Sequence, residues 1–372
     1  MKPSTRSSSI AGLALILFLV LSPWEANRAE SASAVAPPSA SAKTLAARID
    51  AYVKAQAALP YAKSFSGTVL VTQNGKIVIN KGYGLADREH HIANTPNTTF
   101  QIASISKEFA ATAILILQQR HKLSVRDKIC TYIPGCPESW RPITIHMLLT
   151  HTSGIGHWET YATLDYTPMS LDQLVSLFER MPPLFKPGTQ YHYTSAGYDL
   201  LAYIVQKVSG EPYATFIQQN IFHPLGMTRT KVDDTNHPPS GHAVGYMGVY
   251  RSAYPSLIGV FGSGDIWTTT GDLERWDQSF STTWILSRAS QQAMFTPWVL
   301  IPGGTGEDWY GYGWVIEQGL HLLIYHDGGN PGFNTYNRRL PNDKVDVIIL
   351  TNNEIDHGPL VTAIELMALG MS

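Results

Sequence analysis

Ser104 and Lys107 lie three residues apart in Gln101-Ile102-Ala103-Ser104-Ile105-Ser106-Lys107, just ahead of an apolar run from Phe109 to Leu117. On a helix that spacing puts both side chains on one face, a turn apart. A helix N-terminus favours developing negative charge, and an ammonium one turn along can exchange a proton with a hydroxyl. The pair is therefore a candidate nucleophile with its proton partner. A serine before a helix is more often a simple cap, so the tetrapeptide needs company. Two further stretches provide it. Tyr193 and Ser195 stand in Tyr191-His192-Tyr193-Thr194-Ser195, where a phenol beside a lysine becomes a second proton-handling group. His326, Gly328 and Gly329 stand in His326-Asp327-Gly328-Gly329, read as the end of a strand. Glycines there let a substrate approach the backbone, and a strand-edge N–H is a second oxyanion donor beside that of Ser104.

These side chains need a sheet and a helix to hold them. A helix is expected over 46–58. Two β-rich runs, 67–72 and 76–80, flank Asn74-Gly75, a strong hairpin signal. From about 143 to 280 the chain turns mostly helical and loop-rich, with helices at 143–149, 171–179, 197–208, 213–221 and from Thr270. Strands return at 312–317, 321–326, 333–340 and 345–350, and a helix closes the chain at 359–369. The reading is an α+β fold: an antiparallel sheet made from the N-terminal hairpin and the C-terminal strands, flanked by helices, with an inserted mainly helical region at about 143–280.

In that order the three stretches resemble the class C β-lactamase family in its broad sense, which includes D,D-peptidases, D-aminopeptidases and family VIII esterases. Leu148-Leu149-Thr150-His151-Thr152-Ser153-Gly154, Pro224-Leu225-Gly226-Met227 and Thr268 to Leu273 add to the resemblance. It covers about Phe65 to Leu369. It implies that Ser104 is acylated, that Lys107 and Tyr193 move protons, and that Gly329 gives the second oxyanion N–H. His326 would stand in the third motif. Two departures matter. Ser195 replaces the usual Asn of the second motif and lacks an amide donor. His326 replaces the lysine of efficient β-lactamases, a pattern of the peptidase and esterase branches. Asp327 brings a negative charge to this motif unless strand alternation turns it to the other face.

The chain has 372 residues, 15% charged and 44% apolar, with a net charge of −2 and no basic run, which argues against a nucleic-acid partner. Lys2 and Arg6 precede an apolar run from Ile10 to Leu21, and Ala32-Ser33-Ala34 offers a cleavage site. Residues 1–34 are read as a signal peptide, 35–43 as a linker and 44–372 as the hydrolase domain, so export to the periplasm or beyond is expected, with no stable membrane span in the mature chain. The alternative is an uncleaved anchor. Cys130 and Cys136 could close a small disulfide loop around Pro134-Gly135. There are thirteen histidines, and His146, His151 and His157 lie close together, but no His-Glu-x-x-His occurs. No metal or other cofactor is expected. The expected substrate is a small ester, peptide or lactam. The rivals are a true β-lactamase and a non-catalytic domain that binds cell-wall peptides or senses them.

Overall fold

The computed structural model describes residues 44–60, 63–156, 169–233, 238–252, 260–304 and 308–371. The expected signal peptide and linker and His157 lie outside them.

One eight-stranded antiparallel sheet organises the fold. Its strands are β1 (Gly67–Gln73), β2 (Lys76–Tyr83), β3 (Val299–Leu300), β4 (Asp308–Tyr310), β5 (Val315–Gln318), β6 (Leu322–Asn330), β7 (Phe333–Leu340) and β8 (Val345–Thr351), in the order β3-β4-β5-β6-β7-β8-β1-β2. The β1–β2 turn has Asn74 at φ 53° and Gly75 at φ 71°. Two positive φ values match the twist of the flanking strands, which is why Asn-Gly works here. β1 then pairs with β8 from Gly67↔Thr351 to Gln73↔Val345. The sheet is thus completed by segments from both ends of the domain.

Side-chain alternation gives the sheet two faces. Val69, Val71, Val347 and Ile349 pack with Ile49 and Val53 of α1 (Leu45–Ala57) and with Val361 and Ile364 of the closing helix Gly358–Ala368. Leu70, Ile348 and Leu350 point the other way into the larger core, which contains α2 (Ser106–Gln119). Every residue of α2 from Ser106 to Leu117 is buried. A helix apolar nearly all round belongs in the middle of a fold, and α2 packs between the sheet and the helical region. That region holds α3 (Ile145–Leu149), α4 (Leu171–Phe178), α5 (Ser195–Ser209) and α6 (Thr270–Ser279). α5 ends at Gly210, whose φ of 79° is the usual left-handed stop.

The expected architecture is present, with three corrections. The third-motif strand does not end at His326 but runs on to Asn330, because pairing with β7 from His326↔Asn337 to Asn330↔Phe333 carries it through the glycines. The helical region also contains β-structure: Ile266–Thr268 pairs with both Phe100–Gln101 and Lys231–Val232. Finally, the expected strand at 312–317 begins only at Val315, after Gly313 (φ 81°), and a separate short strand, β4, precedes that turn. Among the described residues no helix is long and apolar enough to cross a membrane. Cys130 and Cys136 form a disulfide, their Cα atoms 5.3 Å apart.

Candidate active site

Ser104 is not the first residue of the long helix, as its sequence suggests. It sits in a 3-10 turn, Ala103–Ile105, that leads into α2. Ala103 has φ 47°, a left-handed conformation that costs a non-glycine residue about 1 kcal/mol or more. The surroundings hold it. The Ile102 N–H donates to the Ile266 carbonyl at 2.9 Å, and the Thr335 hydroxyl donates to the Ile102 carbonyl at 3.0 Å. The Ile266 N–H in turn donates to Ser106 Oγ at 3.1 Å. Between Gln101 and Leu117, Ser104 alone is not fully buried. The turn therefore presents one hydroxyl from an otherwise closed segment.

Lys107 is completely buried. Its Nζ donates to Ser104 Oγ at 2.9 Å and to the Ser263 carbonyl at 2.7 Å. It also lies 4.9 Å from the centre of the Tyr193 ring and 5.8 Å from that of Tyr198. Two hydrogen bonds and two aromatic faces are what make a dry ammonium tolerable. The same contacts aim it at the Ser104 hydroxyl.

Tyr193 precedes α5, with Thr194 as the cap residue and Ser195 as the first helical residue. The Thr194 N–H donates to His151 Nδ1 at 3.2 Å. The His151 ring lies against Tyr193, 4.4 Å between centres and tilted by 39°. His151 itself adopts φ 57°, so the turn after α3 is bent to bring this ring there. Tyr193 is thereby held between Lys107 and His326, whose ring is 6.1 Å away. His146 binds the Tyr312 hydroxyl at 2.8 Å through Nδ1. Among the described residues no three His, Cys, Asp or Glu side chains converge as a metal site.

β5 pairs with β6 only from Leu322 to Tyr325. Beyond Tyr325 that edge of β6 leaves the strand ladder and runs past the Ser104 turn. Gly328 makes the approach possible: a Cβ there would lie 2.2 Å from the Ile102 carbonyl oxygen. Gly329 follows on the same strand. His326 is buried, with Nδ1 2.7 Å from the Asp327 carbonyl and Nε2 3.0 Å from the Tyr310 hydroxyl. Burial, reinforced by the Lys107 charge, pulls its pKa down to about 3. The imidazole is neutral at ordinary pH. Asp327 takes the opposite face, where its carboxylate accepts from Arg338 at 2.8 Å. It brings no charge to the Ser104 side.

The structure thus gathers Ser104, Lys107, Tyr193, His326, Gly328 and Gly329 at one locus, with Ser195 at the start of the adjoining helix. A family model described as Beta-lactamase matches residues 45–371. The chain belongs to the beta-lactamase family. Its relatives in that family include PbpX of Bacillus subtilis (strain 168), which carries a provisional penicillin-binding name and is 37% identical over 293 residues, covering 77% of this chain and 71% of PbpX. Another penicillin-binding protein of that strain is 33% identical over 315 residues, covering 78% and 69% of the two chains. An octameric penicillin-binding protein homologue from Pyrococcus abyssi superposes with a TM-score of 0.79 at 25% identity, over 87% of this chain and 77% of that one. A D-amino acid amidase from Ochrobactrum anthropi SV3 shares the fold, with a TM-score of 0.74 at 22% identity over 87% and 98%.

Three contributors to the site were not evident beforehand. The Ser263 carbonyl is a backbone atom and has no side-chain signature, although Gly262-Ser263-Gly264-Asp265 marks a tight turn. Ala103 gives no hint of its left-handed φ. Tyr310 had only the aromatic-glycine alternation Tyr310-Gly311-Tyr312-Gly313-Trp314 to flag it.

Proposed function

We propose that this chain is a serine hydrolase that forms an acyl-enzyme on Ser104 and acts on an ester or a D-amino acid peptide. The observation that carries the reading is the 2.9 Å contact between the fully buried Lys107 ammonium and the one accessible hydroxyl of its segment. Ser104 Oγ attacks the carbonyl carbon and its proton passes to the Tyr193 oxygen, which serves as the base in its phenolate form with the Lys107 ammonium balancing the charge. The N–H groups of Ser104 and Gly329 take the oxyanion, a contribution of about 3 kcal/mol per donor in well-studied hydrolases. When the tetrahedral intermediate collapses, the bond to the leaving group breaks and the same proton passes to that group. Water then attacks the acyl-enzyme, Ser104 recovers its proton and the acid departs. Each step is complete with the chain's own residues and water.

An ester or peptide substrate is favoured over a β-lactam because the third motif holds a neutral imidazole and the second holds Ser195 instead of an amide. The N-terminal signal features support export to the periplasm or beyond. Intact-protein mass after exposure to a fluorophosphonate tests the assignment. One adduct on the wild type and none on Ser104→Ala is expected. No adduct on either protein refutes it and favours a domain that binds cell-wall peptides without turnover.

A further inference from the structure

His326 has two hydrogen bonds and three protons that could make them. Its Nδ1 faces the Asp327 carbonyl, which can only accept, so Nδ1 carries a hydrogen. Its Nε2 faces the Tyr310 hydroxyl, which can donate or accept. If Tyr310 accepted, Nε2 would also need a hydrogen and the ring would be an imidazolium. That cation would sit in a buried site facing Lys107, whose ammonium is fully buried on α2. The other groups around it are Tyr193 from the segment before α5 and the buried Tyr310 of β4. The Asp327 carboxylate, which could balance a second cation, is spent on Arg338 across the sheet. Tyr198 does not force the other wiring. Its hydroxyl donates to the Leu149 carbonyl at 2.8 Å and accepts from the Gly313 N–H. The Tyr310 hydroxyl also reaches the Tyr198 oxygen, but that oxygen already takes the Gly313 N–H, and the wiring that leaves the buried His326 ring uncharged has Tyr310 donate to its Nε2.

We infer that Tyr310 is a positioning residue that locks His326 as the neutral Nδ1–H tautomer, so that the third motif selects acyl donors with no carboxylate beside the scissile bond. The inference rests on the serine hydrolase reading for its substrate half only. Both ring nitrogens are engaged within the protein, so the ring offers an entering carboxylate neither charge nor a free N–H. The substrate class is a neutral ester, thioester or amide. A carboxylate placed at this motif meets a dry imidazole and gains nothing for the water it gives up.

Two measurements on the full domain test the two halves. In histidine-labelled protein near neutral pH, nitrogen NMR is expected to show His326 as the neutral Nδ1–H form, its signal assigned from the spectrum of His326→Gln. An imidazolium, or an Nε2–H tautomer, overturns the role of Tyr310 whether or not the protein hydrolyses anything. For selectivity, benzoylglycyl thioglycolate, which ends in a free carboxylate, is compared with its methyl ester. The wild type is expected to favour the methyl ester by about tenfold or more in kcat/KM, and Tyr310→Phe, which frees Nε2 to accept a second proton, to lose most of that preference. Equal or faster hydrolysis of the free acid by the wild type overturns the substrate class. An unchanged ratio in a folded Tyr310→Phe overturns the link to Tyr310. Failure of the hydrolase reading itself would look different: no turnover of either compound and no fluorophosphonate adduct, with the tautomer still readable.

Discussion

Gly328 and Gly329 are neighbours on one strand, yet substituting them should have opposite consequences. A methyl group on Gly328 would lie 2.2 Å from the Ile102 carbonyl oxygen and 2.5 Å from Thr335 Oγ1. The first is backbone and cannot swing away. To reach ordinary contact the Ile102 carbonyl must retreat by about 1 Å, and Ser104 is two residues further along the same tight turn. The movement also breaks the 3.0 Å bond from Thr335 to that carbonyl. A displacement of about 1 Å in a reacting group costs roughly a hundredfold in rate. Overpacking with a lost hydrogen bond costs about 2–4 kcal/mol of stability. A methyl group on Gly329 would instead meet Asn334 Oδ1 at 3.3 Å, the far end of a side chain that can turn. Gly329→Ala keeps its N–H, so rate and stability should change little, by less than about 1 kcal/mol. The assay is the rate of fluorophosphonate labelling, read beside urea unfolding, for both variants. Gly328→Ala labelling as fast as Gly329→Ala would refute the claim that this glycine sets the position of the nucleophile.

Much of this site was legible because its key pair is local. Ser104 and Lys107 are three residues apart, and a turn of either 3-10 or α geometry keeps them together, so misjudging the helix start did no harm to the pairing. The β1–β2 hairpin was legible for the same reason, since Asn74 and Gly75 carry the turn geometry in their own chemistry. Tyr193 and His326 were different. Nothing local joins them to Ser104, and only their order along the chain, through a family resemblance, suggested a shared site. Tyr310 had no signal beyond an aromatic-glycine alternation, which says nothing of its place. Its position depends on the registers Tyr310↔Val315 and Val315↔Tyr325, two successive strand pairings that deliver it beside His326. The strand was read as stopping at His326, short of the Gly-Gly pair, because local propensity penalises glycine there, whereas the β7 ladder supplies partners regardless. The small sheet around Ile266–Thr268 has strands of two or three residues, too short to show a period.

Three further outcomes are expected. Lys107→Ala should leave Ser104 without its proton partner and slow fluorophosphonate labelling by about a hundredfold or more, and labelling at the wild-type rate would remove Lys107 from the mechanism. Arg338→Met should strand the buried Asp327 carboxylate and cost about 3–5 kcal/mol in urea unfolding, while a loss below 1 kcal/mol would show that the pair is solvated. The last concerns pH. Burial pushes Asp265, Glu274 and Glu365 up to about 7. From their ordinary values of 3.8 and 4.5 up to about 7, the folded chain keeps protons the unfolded chain has released, so stability falls as pH rises through that window. Burial holds Glu108 and Asp277 well above their ordinary values as well, which extends the fall to higher pH. Two histidines act in the other direction. Burial lowers His326 to about 3 and His357 to about 4, so below the ordinary value of 6.5 the unfolded chain binds protons these rings refuse. Their contribution grows as pH rises to 6.5 and is constant above it. From about pH 4 to 6.5 the two trends oppose each other, and above 6.5 only the carboxyls act. The melting temperature should therefore drop between about pH 6.5 and pH 8.5, and Glu108→Gln, which cannot ionise, should flatten the drop. A melting temperature that rises over that interval would mean that these carboxyls ionise in the folded protein at their ordinary pH, and that the buried acid cluster is hydrated.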